Sequence, residues 1–517
     1  MYQLSYIMVS EVIDWSEFLA CERGLLIAPA GHGKTTAIAD CLNLCPEDSC
    51  HLVLTHTHAG IASLKQKFKE MNISPSKYHL ETIDGFAQRY VIAFLGTSVL
   101  PSCQDKEYFS VAVKKCTEIL QSTVLHKIVS LSFCGVFVDE YQDCTISQHN
   151  MILTLAQNLP LHILGDPLQG IFDFEKECII DFNSDLPELF FKRFNLLNIP
   201  WRWAKTNPPL GDIILSLRNT LLTKLNSVEI TNIPDKQFFI EIAPKHDGDF
   251  DGDYIKWRNS TIKKYETDNT LILCPSYIVR DEYGNETRKG DINDRLRFKL
   301  RFDYKHQYVL LDALDGKAYY DKSKKIDDYI ELCKNSHRAD KLNHFKNLLE
   351  SLYINNEFIN TWIRKEKRKA AYFLKKKKLE EQNQSSKLQD LYNSYVTAPS
   401  ITSLYFILEY VINMKAYKNQ RADFMNDILR CMSTAIEYQT SVTDAMYRQR
   451  SQIRHIGRKI SGKCIGTTLL TKGLEFDTVI VLDADKFTDK RHFYVAISRA
   501  CKTLVLITNQ PNITFRN

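Results

Sequence analysis

One strand-turn-helix segment near the N-terminus constrains the fold of this chain more than any other feature. Three apolar residues, Leu25-Leu26-Ile27, predict the end of a buried strand, and Lys34 onward predicts the first turns of a helix. The loop between them gives the pattern G-x-x-x-x-G-K-[ST], with Ala28 in place of the first glycine. Backbone N–H groups, the Lys34 charge and the Thr35 hydroxyl of such a loop are suited to nucleotide phosphates and Mg²⁺. An ordinary strand-turn-helix is the alternative.

Two later apolar segments also run into polar residues. Val136-Phe137-Val138 is followed by Asp139-Glu140, and Leu161-His162-Ile163-Leu164 by Gly165-Asp166. Buried strands that alternate with helices indicate a parallel sheet that binds ligands at the carboxyl ends of its strands. There, one carboxylate of Asp139-Glu140 can hold Mg²⁺ and the other can orient or deprotonate a water. An isolated Asp-Glu pair is more often the start of a solvated loop.

Composition limits the class of protein. A chain of 517 residues with 44% apolar and 25% charged residues is a globular protein of several domains. Its net charge is only +5, so any nucleic-acid surface must be local. The 14 cysteines include no C-x-x-C pair, which indicates reduced thiols in a cytoplasmic protein without structural zinc or an iron–sulfur cluster. We expect no membrane span and no signal peptide.

Eight segments, taken in chain order, resemble the motifs of superfamily 1 DNA helicases of the UvrD/Rep/PcrA type. They are A-x-A-G-x-G-K-T from Ala28, T-H-T-H-A from Thr55, T-x-D-G-F from Thr82, V-D-E-Y-Q-D from Val138, G-D-x-x-Q from Gly165, W-R at Trp201, T-K-G-L-E-F-D from Thr471 and Y-V-A-I-S-R-A from Tyr494. The chain most resembles the short helicase subunit of the Gabija anti-phage defence system.

This resemblance implies an α/β fold with two RecA-like parallel-sheet lobes of the P-loop NTPase type and helical accessory insertions. The predicted domains are lobe 1A at 1–90 and 126–193, a reduced accessory domain 1B at 91–125, lobe 2A at 194–300 and 451–517, and a helical accessory domain 2B at 301–450.

The resemblance also implies roles for individual residues, with ATP and Mg²⁺ as the ligands. The catalytic set is Lys34, Asp139, Glu140, Gln169, Arg202 and Arg499. The nucleotide-binding set is Ala28, Pro29, Ala30, Gly31, His32, Gly33, Lys34, Thr35, Thr36, Gln142, Trp201, Gly473 and Glu475, with Thr35 and Asp139 also at the metal. The set on single-stranded or tailed DNA is Thr57, Asp84, Phe86, Phe172 and Phe174, the last two stacking on bases.

The sequence departs from the family at several points. The segment from Val9 to Gly24 contains no glutamine to read adenine, Glu175 replaces an arginine, the first accessory domain is short, and the chain ends soon after Arg499. The basic run between Arg364 and Lys378 is either a solvated helix face or a surface for phosphates or a partner.

Two functions therefore remain open. The first is a 3′–5′ DNA helicase or translocase, in anti-phage defence beside an OLD-type nuclease or in DNA repair. The second is a regulatory ATPase that senses DNA and controls a nuclease without processive unwinding.

Overall fold

The computed structural model describes residues 13–515 except 102–104, 106, 172–176, 187–188, 191, 197–198, 224–225, 247–250, 281–285, 304–306, 312–316, 353, 355, 366–371, 375–378, 415–420 and 457–461. The chain divides into two compact units. Unit 1 comprises Met1–Lys289, Ile456–Ser461 and Thr467–Asn517, and unit 2 comprises Gly290–His455 and Gly462–Gly466.

Strands and α-helices of the described residues are numbered here in chain order. The strands are β1 Arg23–Ile27, β2 His51–Thr55, β3 Tyr78–Thr82, β4 Gly135–Val138, β5 Leu161–Gly165, β6 Lys192–Asn195, β7 Ser227–Glu229, β8 Phe238–Ile242, β9 Thr270–Leu273, β10 Tyr277–Arg280, β11 Glu286–Lys289, β12 Val309–Leu310, β13 Ile363–Lys365, β14 Tyr372–Leu374, β15 Cys464–Gly466, β16 Phe476–Val481, β17 Ala500–Thr508 and β18 Asn512–Thr514. The helices are α1 Trp15–Leu19, α2 Lys34–Leu44, α3 His58–Glu70, α4 Ile83–Leu95, α5 Tyr108–Leu120, α6 Thr123–Ser132, α7 Ile146–Leu155, α8 Trp201–Ala204, α9 Pro208–Leu222, α10 Gly252–Tyr265, α11 Ile292–Phe302, α12 Lys317–Asn335, α13 Arg338–Ser351, α14 Asn356–Trp362, α15 Leu379–Thr397, α16 Ile401–Ile412, α17 Ala422–Tyr438, α18 Val442–Ile456, α19 Thr468–Thr471 and α20 Lys490–Ile497.

The first sheet of unit 1 is parallel throughout, with strand order β3-β2-β4-β5-β1-β6. Every residue of β2, β4 and β5 is buried, as expected for a sheet covered on both faces. The carboxyl ends of its strands meet at one edge. This edge therefore collects the loop after β1, Asp139 after β4 and Asp166 after β5.

A second six-stranded parallel sheet is present, and the four strands that unit 1 contributes run in the order β9-β16-β17-β8. Glu475 immediately precedes β16, and Arg499 immediately precedes β17. The predicted α/β class with two parallel sheets and helical insertions is confirmed.

Two features of unit 1 bear on the predicted domain bounds. The predicted boundary between lobes 1A and 2A, after residue 193, falls within strand β6, which pairs with β1 in the first sheet, where Phe194 packs against Phe18 with ring centroids 5.1 Å apart. Helix α5, in the region predicted as accessory domain 1B, and helix α6, which begins there and ends in the region predicted as lobe 1A, share one hydrophobic core with the first sheet. This core contains Cys116 and Leu125 from the helices beside Val136 and Ile163 from the strands. The four-domain division itself stays a prediction.

Unit 2 is mostly helical, as the long insertion in the sequence predicts. Its core is built from apolar residues at helical spacing, including Leu342, Phe345, Leu349, Phe424 and Met425. Most of the basic run between Arg364 and Lys378 lies outside the described residues. Within the described part of the chain, no helix combines the length and apolar character needed to cross a membrane.

Candidate nucleotide site

The loop between β1 and α2 has the backbone of a phosphate cradle. Gly31 and Gly33 both adopt positive φ, at 73° and 91°, and Gly33 caps the N-terminus of α2. This conformation favours glycine, because a Cβ is disfavoured there. A Cβ at Gly31 would also come within 2.7 Å of the Arg202 Cβ. The first N–H groups of α2 are left without helical acceptors and are available to an anion.

Lys34 brings its positive charge to the same edge of the sheet. Its side chain is only 8% exposed, and its Nζ lies 3.4 Å from the carbonyl oxygen of Ala28 and 3.6 Å from Oε1 of Glu140. The neighbouring Thr35 and Thr36 are partly exposed at the start of α2. The loop therefore combines backbone donors, a buried cation and an accessible hydroxyl.

His32 lies inside this loop. Its Nδ1 is 3.0 Å from the carbonyl oxygen of Ala30, and its buried Nε2 has no hydrogen-bond partner among the described residues. Burial lowers the pKa of His32 to about 4. The imidazole is therefore neutral near pH 7 and adds no charge beside Lys34.

Asp139 and Glu140 turn sharply at the end of β4. The Asp139 N–H donates to the Leu54 carbonyl, as if β4 continued, and Glu140 then adopts a φ of 55°. The Glu140 N–H donates to Oδ1 of Asp139 at 2.9 Å. Burial and the charge of Glu140 raise the pKa of Asp139. Burial would also raise the pKa of Glu140, but Lys34 and Lys472 outweigh it and lower that pKa, so Glu140 is the ionised member of the pair.

The residues present fit a magnesium ion bound together with nucleotide phosphates. The described residues contain no group of three or more His, Cys, Asp or Glu arranged to hold a metal ion by themselves. Mg²⁺ in phosphate sites uses one or two protein oxygens and completes its shell with phosphate and water. The carboxylate of Asp139, at the end of β4, and the Thr35 hydroxyl, at the start of α2, are oxygen donors of that kind.

Gln142 and Gln169 connect the carboxylates of the first sheet. The Gln142 side chain donates to Glu140, and its Oε1 accepts the Asp166 N–H at 3.0 Å. Gln169 Nε2 donates to Oδ2 of Asp166 at 3.1 Å. Lys472 donates to both the Asp143 carboxylate and the Gln169 carbonyl.

Arg202 joins the loop to the strand ends of the second sheet. Its backbone N–H donates to the Gly31 carbonyl at 3.1 Å, and its Nη2 lies 2.8 Å from Oε1 of Glu475. Its Nη1 donates to the Ser498 carbonyl. Next to it, Trp201 is 58% exposed, and its Cδ1 would lie 3.1 Å from a Cβ built on Gly33. The Trp201 ring is therefore accessible to a ligand in the loop.

Arg499 is almost completely buried beside these groups. Its guanidinium donates to the carbonyls of Val495 and Leu474 and to the Ser498 hydroxyl. Burial and the nearby charge of Arg202 lower the pKa of Arg499 to about 9. The two guanidinium groups are therefore close enough to interact electrostatically. Gly473, in the same region, has a φ of 80°.

Residues 102–185 match the family model of the UvrD/REP helicase N-terminal domain. This match supports a UvrD-like superfamily 1 DNA helicase, and helicases of this kind in general use ATP with Mg²⁺. Asp139, Glu140, Gln142 and Gln169 lie inside the matched helicase domain, whereas the phosphate loop precedes it. No curated protein matches the chain.

The residues predicted to lie on a DNA path occupy different environments. Thr57 is exposed and caps α3 by accepting the Gly60 N–H. Asp84 accepts a hydrogen bond from Gln148 at 2.8 Å. Phe86 is fully buried in the core of the first sheet, so its ring is not available to a base in this conformation. Phe172 and Phe174, and the nearby Glu175, lie outside the described residues.

Several residues at the site were missing from the sequence-based set. Lys472 and Tyr494 lie within recognised motifs but were given no role, and the Tyr494 hydroxyl accepts the Ala30 N–H at 3.0 Å. Asp143 and Asp166 also stand within motifs. Arg218 lies outside every motif, although its spacing from the buried Leu210, Ile214 and Leu221 places a charge on the apolar face of α9.

Proposed function

We propose that this chain is an ATP-dependent translocase or helicase on single-stranded or tailed DNA. The observation that carries the proposal is the convergence of Lys34 with Glu140, 3.6 Å apart, while Arg202 contacts the same loop through Gly31. A phosphate cradle, a carboxylate for water and arginines for developing charge are the parts that phosphoryl transfer to water requires. The helicase domain match points to DNA as the track.

The chain's own residues have separate roles in this proposal. Lys34 and the N–H groups of α2 hold the phosphates, and ionised Glu140 orients the attacking water and accepts its proton. Arg202 and Arg499 neutralise the charge that spreads over the transferring phosphoryl group. Mg²⁺, held by Asp139 and Thr35, polarises the phosphate oxygens when bound. Trp201 is placed to stack on the nucleotide base.

The coupling of hydrolysis to DNA movement follows from contacts on both sides of the nucleotide. Gln142 donates a hydrogen bond to Glu140, and the Gln169 carbonyl accepts one from Lys472. A movement of the phosphate during hydrolysis can therefore shift residues at the strand ends of both sheets. We assign Thr57, Asp84, Phe172 and Phe174 to the DNA path and leave Phe86 out because of its burial. Stacking of aromatic rings on bases tolerates any sequence.

The finer assignments rest on the family resemblance. They are 3′–5′ polarity, a place in a Gabija-like anti-phage defence complex with an OLD-type nuclease, and a cytoplasmic location. A role in DNA repair fits the same site.

A regulatory ATPase that senses DNA and controls a nuclease is the second candidate. It is favoured by the packing of α5, which lies in the region predicted as accessory domain 1B, into the core of the first sheet, because this helix then does not form a separate accessory domain. Both candidate functions require the same nucleotide site, so a measurement of DNA unwinding is needed to distinguish them.

Strand separation by the purified chain tests the proposal. A duplex with a 3′ single-stranded tail, a duplex with a 5′ tail and a blunt duplex are compared, with the Glu140→Gln protein as the blank. ATP-dependent unwinding of the 3′-tailed duplex alone supports the helicase. DNA-stimulated ATP hydrolysis without unwinding of any substrate favours the regulatory ATPase. A rate of ATP hydrolysis that DNA does not change contradicts both the helicase and the regulatory ATPase.

A further inference from the structure

Arg218 is a buried cation that the proposed chemistry does not use. It lies on α9 among apolar residues and is only 3% exposed. Helix α9 contacts α20 and β17, which belongs to the second sheet. A charged side chain in such a position is expensive unless it is paired with good geometry.

Arg218 forms an ion pair with Asp166, which is fully buried and directly follows β5 of the first sheet, and it also hydrogen-bonds to Tyr494. The Nη2 of Arg218 lies 2.8 Å from Oδ1, and its Nε lies 3.3 Å from each carboxylate oxygen. The ion pair therefore joins an element packed on the second sheet to a strand end of the first sheet.

Asp166 also contacts residues of the nucleotide site. Its N–H donates to Oε1 of Gln142 at 3.0 Å, and the Gln142 amide donates to Oε2 of Glu140. The other oxygen of Glu140 faces Lys34 at 3.6 Å. A continuous series of polar contacts thus leads from Arg218 to the carboxylate that would activate water.

A branch of the same series leads to Lys472. Gln169 donates to Oδ2 of Asp166 at 3.1 Å, and the Gln169 carbonyl accepts from Lys472. Asp166 is thereby fixed from three sides, by Arg218, Gln142 and Gln169. A buried ion pair adds little to the free energy of unfolding compared with apolar packing. We therefore assign this ion pair the role of holding the Asp166 side chain in one conformation.

We propose that Arg218 is a positioning residue for ATP hydrolysis, which holds Asp166, and through it Gln142 and Glu140, in the arrangement needed to activate water. The inference rests on the proposed function, because it assumes that this site hydrolyses a nucleotide. Arg218 acts through other side chains and does not contact the substrate. Loss of its contact with Asp166 misplaces Glu140.

The test compares Arg218→Met and Arg218→Lys in the full chain with the wild type. We expect Arg218→Met to lower kcat for ATP hydrolysis by about 10- to 100-fold, the effect of a displacement near 1 Å at a reacting group. KM for ATP and the affinity for a fluorescent ATP analogue should change less than kcat, because Lys34 is kept, although Arg218 also hydrogen-bonds to Tyr494, whose hydroxyl accepts the Ala30 N–H of the loop. Arg218→Lys, which keeps the charge, should recover part of kcat.

Arg258→Met is the matched control. Arg258 is also a buried arginine of unit 1, 7% exposed, and its guanidinium packs over the Tyr254 ring within α10. A general effect of removing a buried arginine would appear equally in both variants. If Arg218→Met does not fold, the double variant Arg218→Met with Asp166→Asn removes both buried charges and should still show the low kcat.

A second readout separates positioning from folding. If Arg218 and Gln142 act in one series, the effect of Arg218→Met combined with Gln142→Leu on kcat should be clearly smaller than the product of the single effects. Multiplicative effects, or a kcat equal to that of the control, overturn the inference while leaving the proposed function intact. A wild-type chain that hydrolyses no ATP overturns both.

Discussion

Glu140 is the residue whose charge the account depends on most. It faces Lys34 at 3.6 Å and accepts from Gln142, and both contacts favour its ionised form. We predict that Glu140→Gln lowers the rate of ATP hydrolysis by roughly 10²- to 10⁴-fold, because an amide cannot accept the proton of the attacking water. ATP binding, measured by equilibrium titration with a fluorescent analogue, should persist.

Glu47→Gln provides the control for this substitution. Glu47 forms an ion pair with Lys77 at 3.0 Å but is 78% exposed, so its loss should leave hydrolysis unchanged. Full activity of the Glu140→Gln protein would remove Glu140 from the chemistry.

His162 gives unit 1 a pH-dependent stability. Its ring lies between Phe18 and Phe137, its Nε2 is 3.0 Å from the Phe18 carbonyl, and burial lowers its pKa to about 4. Below the unfolded pKa of about 6.5 the unfolded chain binds a proton that the folded chain rejects, so stability falls as pH drops towards 4. The loss from this residue is on the order of 3 kcal/mol.

We predict that His162→Gln, which keeps an N–H donor but does not titrate, flattens this dependence. The measurement is the free energy of urea unfolding between pH 7.5 and pH 4 for both proteins. Above about pH 7 the two curves should run parallel. Parallel curves over the whole range would show that His162 is not the group responsible.

Individual residues were predictable from sequence where a motif fixed them. Lys34, Asp139 and Gln142 lie together at the predicted edge of the sheet. Arg218 could not be assigned, because its partner Asp166 is 52 positions away and only the fold brings them together. Phe86 was placed on the DNA path by its motif, but its position on the inner face of α4 buries it.

Among the elements, the phosphate loop and α8 pack so closely that there is no room for a side chain at Gly31. A Cβ at Gly31, where φ is 73°, would lie 2.7 Å from the Arg202 Cβ and 2.9 Å from the Trp203 ring. Gly96 has a similar φ of 79°, but a Cβ there would meet nothing within 4 Å. Substitution of Gly96 therefore introduces backbone strain alone, whereas substitution of Gly31 introduces backbone strain and a steric clash.

We predict that Gly31→Ala destabilises unit 1 by about 1–3 kcal/mol more than Gly96→Ala does, because overpacking is added to the strain. Urea unfolding of both variants measures the difference, and ATP affinity should fall only in Gly31→Ala. Equal losses of stability would mean that α8 yields to the extra methyl group.

The elements themselves were predicted best where strands are continuously apolar. β1, β4 and β5 coincide with predicted strands, because central parallel strands are buried on both faces. The edge strand β3, with the sequence Tyr-His-Leu-Glu-Thr, was missed because its residues are mostly only partly buried. The sheet to which β6 belongs could not be deduced, because local sequence does not encode which strand becomes its neighbour.

At the scale of the whole molecule, the two units have separate hydrophobic cores. Leu64 is fully buried in unit 1 and Leu349 is fully buried in unit 2. We predict that Leu64→Ala and Leu349→Ala each cost about 2–5 kcal/mol, and that faster amide hydrogen exchange appears mainly in the unit that carries the substitution.

Leu332→Ala is the control. Leu332 is 46% exposed on α12, so this substitution should lower the free energy of unfolding only slightly. Faster exchange throughout both units in either core variant would mean that the chain unfolds as one cooperative block. The helical character of unit 2 followed from the family resemblance. Its boundaries at Gly290 and Gly466 did not, because they depend on long-range packing.

Steady-state ATP hydrolysis by the purified full chain, with and without single-stranded DNA, tests the central claim most directly. We predict turnover that DNA of any base sequence increases, that declines as salt weakens phosphate contacts, and that falls at least about 100-fold in Glu140→Gln. Turnover that DNA does not change, or that does not fall in Glu140→Gln, would contradict the assignment of this site as the ATPase of a DNA motor.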